Sequence, residues 1–488
     1  MSARGRVVKN TAYLVSAFVG QKVLSFIYFT VIARTVGVEG AGRYFVAVSF
    51  TTLFSVFVDL GLANVLVREV AKFPDKARQL LGNVLGIKMV LAVLTVVTVQ
   101  VTARLLRYPE ETVLMISVAS VVMVLDSLHL IIYAVMRGFQ NLRYEAIGVV
   151  SGQAATIIVG SIFLFLRLPL PFLVGALLCG STWNVIWAWF SMVRHFGVIP
   201  SVRYDRTVIR FFWRVTVPFA LAGIFSRVYS YIDSIMISKL ISEAAVGLYS
   251  VAYKIAFAFQ FIPMAFAAAI YPAMSEYFVS DRRKLRLVFT AAQIYLLLIV
   301  VPLAFGIAVL AEPFVVMIYG DAFRGSVLPL QILIFSLVFA FLYWPSGSLL
   351  NACDRQVKNT TVMGVTMLAN VLLNAVLIPR LSVVGAAIAA LLGNFILWSG
   401  ALIFATRVAP PDIGKLLRAS SKITLSAGVM GLTLYLLRPH LHALLLVPLG
   451  VLLYVALVLS TRGVTVSELR GIASIFLRRG KGVSDIVS

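Results

Sequence analysis

Long apolar runs, separated by short polar segments rich in cations, set the pattern of this chain from about residue 10 to residue 460. A helix that crosses a bilayer needs about 20 mostly apolar residues, and these runs have that length. They predict fourteen spans, at 10–34, 44–65, 80–103, 113–135, 145–166, 171–193, 215–238, 246–270, 287–311, 326–350, 360–378, 384–406, 419–437 and 443–460. The first run follows Arg4, Arg6 and Lys9 and is about 25 residues long, which is too long for a signal-peptide core, so it reads as a span and not as a cleaved leader. The segments between spans are short. The longest inner one, Arg194 to Arg214, ends in a sequence (208–214) that reads as an amphipathic elbow at the interface. Past the last span, Thr465-Val466-Ser467-Glu468 has the form of a capping box, followed by a stripe of Leu469, Ile472, Ala473 and Phe476. That pattern predicts a helix lying on the membrane surface.

Composition agrees with the pattern. The chain is 61% apolar and only 12% charged, against about 25% charged in soluble domains. This excludes a soluble enzyme, a disulfide scaffold and a disordered chain. Two cysteines (Cys179, Cys353) and four histidines (His129, His195, His440, His442) show no metal or redox spacing. The net charge of +23 invites a nucleic-acid reading, but the cations do not cluster on a soluble face. With the N-terminus placed inside, the inner segments hold 29 of the 42 Lys and Arg residues and the outer ones nine. That asymmetry predicts both termini in the cytoplasm of an inner or plasma membrane protein, with membrane lipids as neighbours and no nucleic-acid partner.

An internal repeat appears at an offset of 205. Lys22 meets Arg227, Val23 meets Val228, Ser25 meets Ser230, Arg34 meets Lys239, and Gly42-Arg-Tyr44 meets Gly247-Leu-Tyr249. Six spans separate the copies, so the halves share one orientation and are expected to be related by a pseudo-two-fold along the membrane normal. The expected fold is all-α and polytopic, with an N-terminal lobe at 1–214, a second six-helix lobe at 215–410, and an extra helix pair with a cytoplasmic tail at 411–488. Transporters built this way hold substrate between the lobes near the midplane.

Charges inside spans are the candidates for chemistry. Lys22 lies about 18 Å along its helix at 1.5 Å per residue, too deep to snorkel, and Arg227 has the same depth in the second copy. Lys254 is a third deep cation. A cation there costs roughly 2.5–3.5 kcal/mol to insert, so it is expected to face a cavity or a partner, such as Asp233 for Arg227 or Lys254. Lys88 sits closer to the inner face, where its stem can carry the amine to the interface. Among carboxylates, Asp126 has no evident local cation and is a candidate for binding H+ or Na+, as is Asp233. Asp59, nine residues before Arg68, reads as a structural pair or helix-end group, with ion coupling as its other candidate role. Ser25 and Ser230 stand one turn from Lys22 and Arg227, placed either to donate to an anion or to bond their own helices. Tyr28, Tyr229, Tyr231, Tyr253 and Phe257 flank the cations, as ring-stacking groups or as packing.

The chain resembles the polysaccharide flippases of the multidrug/oligosaccharidyl-lipid/polysaccharide exporter superfamily, the O-antigen type. The resemblance rests on Ala33 to Tyr44 (ARTVGVEGAGRY), Asp59-Leu-Gly-Leu62 through Arg68-Glu-Val70, Tyr231 to Ser238 with Val246 to Tyr253, Ile270 to Ser275, Ile318 to Phe323 and Val384-Gly-Ala-Ala387. It implies twelve to fourteen helices and alternating access. It also implies a cargo of oligosaccharide linked to a polyprenyl pyrophosphate, moved from the cytoplasmic to the outer leaflet for surface polysaccharide synthesis. The pyrophosphate would meet a cationic cavity, and Lys22, Arg227 and Lys254 stand where that cavity is expected. Such a protein is not an enzyme, needs no cofactor beyond H+ or Na+ coupling, and would work beside a polysaccharide polymerase or glycosyltransferases. The lipid II flippases carry a similar cargo and are the nearest alternative. A multidrug cation antiporter is a weaker one, because cationic drugs favour acidic cavities. Short outer loops argue against a membrane glycosyltransferase, and no phosphate-binding Gly-x-x-x-x-Gly-Lys-Ser/Thr loop supports a nucleotide-driven pump.

Overall fold

A computed structural model describes residues 3–201 and 205–461; the side chains of 3–12, 14–16, 207–208, 211, 213–215 and 217–219 lie outside that description. All regular structure among the described residues is helical. Eleven of these helices are long and apolar enough to cross a membrane. The helices are α1 (Ala3–Asp59), α2 (Leu62–Lys72), α3 (Ala77–Leu105), α4 (Glu110–Gly138), α5 (Arg143–Phe165), α6 (Pro171–Phe196), α7 (Arg206–Leu240), α8 (Glu243–Phe257), α9 (Phe261–Ser280), α10 (Arg282–Tyr319), α11 (Val327–Ala352), α12 (Gln356–Thr406), α13 (Ile413–Leu437) and α14 (Ala443–Ser460). The surface helix expected in the tail lies outside the described residues.

Two helices are far longer than a bilayer requires, and both are broken. Gly37 interrupts α1 at φ 71°, ψ −173°, a conformation open to glycine because it has no Cβ. Ser382 interrupts α12 at φ 52°, ψ −134°. Each break falls where the sequence predicts a short connection between two spans. The elbow expected over 208–214 is not separate from the span that follows it: α7 runs unbroken from Arg206, and Phe212 on its early turns is fully buried.

The chain divides into two compact units, residues 1–247 and 248–488. In the first, α1 packs on α4, α5 and α7, and α6 packs on α4 and α5. A core of Leu66, Leu81, Ile131, Met136, Met192 and Phe212 joins α2, α3, α4, α6 and α7. Small residues let α5 and α6 approach closely, as is common where lipid supplies no hydrophobic drive between helices. A methyl at Gly180 would stand 2.7 Å from the Gly152 carbonyl oxygen and 1.9 Å from Thr156 Oγ1. In the second unit, α11 packs on α9, α10 and α12, and α10 packs on α13.

Candidate functional site

Lys22 and Arg227 belong to the same unit, on α1 and α7, two helices that pack against each other. Both are exposed at their surfaces. Lys22 is nevertheless crowded by protein, and the charge nearest to it in effect is that of Arg227. Among the described residues neither cation makes an ion pair. Two like charges within each other's field, with no carboxylate between them, repel until an anion joins them. Ser25 and Ser230, each one turn on, are half-buried and carry hydroxyls on the same stretches of helix.

Lys254 lies in the second unit, half-buried on α8 and engaged with a neighbour. Beside it, Tyr253 stacks on Phe257 with ring centroids 4.5 Å apart. Tyr28 is a core residue, 4% exposed. Its hydroxyl lies so close to Gly160 that a methyl there would come within 1.7 Å. Its role is packing, and it presents no open ring to a ligand.

Three sequence readings change. Lys88 does not reach the interface: its side chain is wholly buried and its Nζ lies 2.7 Å from Asp59 Oδ1. Asp59 therefore pairs with Lys88 and not with Arg68, whose Nε bonds Glu69 at 2.9 Å. Asp126, expected to be buried and alone, is 53% exposed at its side chain and lies 3.3 Å from His129 Nε2. It also accepts a hydrogen bond of 2.5 Å from Ser181 Oγ. Asp233 is buried and accepts from the Ser234 amide at 2.8 Å.

A second polar cluster stands at the far end of α1. Arg43 there reaches Glu111 on α4 at 2.5 Å, Glu39 at 2.6 Å and Glu243 at the start of α8 at 3.1 Å. Thr112 donates to Glu243 at 2.8 Å. Next to this cluster the two glycines aligned by the repeat meet: a methyl at Gly42 would stand 1.8 Å from the Glu243 carbonyl oxygen, and one at Gly247 2.0 Å from that of Val38. Nearby, Tyr108 bonds Ser238 at 2.8 Å and carries Lys239 over its ring at 3.2 Å. Burial pushes the Tyr108 phenol up to about 12. One signal was available, because the Gly-x-Tyr of the repeat marked both crossing points. Glu39 is a local partner, four residues from Arg43, but Glu111 and Glu243 lie 68 and 200 residues away, beyond any local pattern.

A family model described as "Polysaccharide biosynthesis protein" matches residues 7–278. The chain belongs to this family. The matched stretch holds α1 to α8, and with them Lys22, Arg227 and Lys254. A second model, MatE, matches residues 218–376. Among curated relatives, a "Probable flippase AglR" of Haloferax volcanii is 29% identical over 215 residues, covering 42% of this chain and 44% of its own. A "Probable low-salt glycan biosynthesis flippase Agl15" of the same organism is 21% identical and covers 75% of this chain and 76% of its own. Among solved structures, a lipid II flippase MurJ in an inward closed conformation matches with a TM-score of 0.74 at 17% identity, over 91% of this chain and 97% of that one. The fold is thus that of the solved lipid II flippase, and the chain is a multi-pass membrane protein of the polysaccharide biosynthesis protein family.

Proposed function

We propose that this protein carries an oligosaccharide linked to a polyprenyl pyrophosphate from the cytoplasmic to the outer leaflet of the cell membrane, by alternating access. The observation that carries the reading is the pair of cations Lys22 and Arg227, exposed on two packed helices of one unit, within each other's field and without an ion pair among the described residues. A pyrophosphate crossing a region of low dielectric needs compensating charge, since a lone buried anion is very costly. An ammonium and a guanidinium provide it, the latter with a planar fork suited to phosphate oxygens. Lys254 is proposed as a third contact, and Ser25 and Ser230 as hydroxyl donors. Asp233 is the proposed coupling group for H+ or Na+, being a buried carboxylate on the same helix as Arg227. Two relatives named as flippases support the cargo class.

The test is outer-leaflet glycan display in a strain lacking its own flippase, with protein level measured in parallel. Lys22→Ala and Arg227→Ala are expected to accumulate normally and to fail in display, and Lys22→Arg to keep partial activity. Normal display from the Lys22→Ala/Arg227→Ala double variant would remove the cationic mechanism. Display restored only for peptidoglycan precursor would assign the cargo to lipid II instead. The proposed topology has its own check. A Ser484→Cys variant should resist an impermeant thiol reagent in intact cells, and ready labelling would reverse the orientation.

A further inference from the structure

A cavity of about 140 Å³ in the second unit is lined by Leu350, Arg355, Lys358, Phe404, Arg407 and Val408. It is well above the roughly 10–15 Å³ that holds one water. It exists because α12 doubles back at Ser382: Arg355 caps the start of that helix and Arg407 caps its end, and both line the same space. Among the described residues Arg355, Lys358 and Arg407 make no ion pair with a carboxylate. Phe404 forms the wall between them, with Lys358 Nζ 5.6 Å and Arg407 Cζ 5.5 Å from its ring centroid. The cation–π contacts hold these two charges beside the ring. Arg282 adds to the field of this corner, since it acts on the thiol of neighbouring Cys353, whose burial pushes it up to about 11. Asp354, exposed in the turn between α11 and α12, is the one acid acting on that thiol.

We propose that this cavity binds the phosphate of an anionic membrane-lipid headgroup. Three cations around a space of this size suit a phosphate, which Arg recognises with paired donors. The two ends of a membrane-crossing hairpin stand at headgroup level, where each basic residue adds to the attraction of anionic lipid. Leu350, Val408 and the Phe404 ring supply apolar walls, which suit the glycerol and acyl portion of a lipid and have no use for a free phosphate ion. This site is separate from Lys22 and Arg227 and does not depend on the proposed cargo.

The experiment is native mass spectrometry of the full chain, purified in detergent and incubated with phosphatidylglycerol, phosphatidylcholine or inorganic phosphate. Wild type is expected to retain phosphatidylglycerol in preference to phosphatidylcholine. The Arg355→Gln/Lys358→Gln/Arg407→Gln variant should lose that retention by about tenfold or more. A control variant, Arg143→Gln/Arg194→Gln/Arg418→Gln, removes the same charge elsewhere and should retain the lipid. All three residues of the cavity variant are exposed, so its melting temperature should match wild type and a loss of binding is separable from misfolding. Equal retention by wild type and the cavity variant would overturn the site. Equal loss in the control variant would reduce it to net charge and overturn it too. Displacement of bound lipid by inorganic phosphate at low millimolar concentration, or binding of phosphate alone, would overturn the lipid as occupant.

Discussion

Lys88 and Lys22 lie in the same unit and on neighbouring stretches of apolar helix, yet their surroundings are opposite. Lys88 is fully buried with Asp59 at 2.7 Å. Lys22 is accessible, has no carboxylate partner among the described residues, and stands in the field of a second cation, Arg227. A charge that has a partner inside the protein is held by the fold. A charge that faces another of its own sign is held open for something that the chain does not supply. Burial and the sign of the nearest charge separate the two cases.

The largest effect expected from this contrast is on Lys88. Lys88→Ala strands a carboxylate beside a cavity, and breaking a buried pair from one side costs about 3–5 kcal/mol. The variant should melt well below wild type in detergent or fail to accumulate. The Lys88→Met/Asp59→Leu double variant removes both charges and should recover most of that loss, because replacing a buried pair by apolar groups of similar size is often close to neutral. A double variant as unstable as the single one would show that the pair is not what holds this corner. The smallest effect is expected at Lys22. Lys22→Ala removes a group whose insertion costs roughly 2.5–3.5 kcal/mol, so its melting temperature should equal or exceed that of wild type while transport falls. A large drop in melting temperature would place Lys22 with Lys88 as a structural charge.

Much of the fold was legible because span length is a one-dimensional property. The connections between the first two spans and between the eleventh and twelfth were placed correctly, at Gly37 and Ser382. Lys22 and Arg227 stand out as candidates for a related reason: depth along a helix can be counted, and the repeat at an offset of 205 aligns them. What could not be read was partnership across the sequence. Asp59 finds Lys88 29 residues on, past a helix and a turn, and Asp126 finds Ser181 55 residues on. Arg137 likewise bonds the buried Glu145 at 2.7 Å through Nε, across the turn between α4 and α5. Helix rotation decides each of these pairings, and an all-apolar helix has no polar face from which rotation could be read.

If Lys22 and Arg227 together form the proposed anion site and Lys88 does not, pyrophosphate binding must separate them. The most direct measurement is binding of farnesyl pyrophosphate, a short polyprenyl pyrophosphate, to the purified full chain by isothermal titration at moderate salt. The account predicts saturable binding to wild type, at least about tenfold weaker binding for Lys22→Ala/Arg227→Ala from the loss of two charge-assisted contacts, and wild-type affinity for Lys88→Met/Asp59→Leu. Unchanged affinity in the Lys22→Ala/Arg227→Ala variant would contradict it.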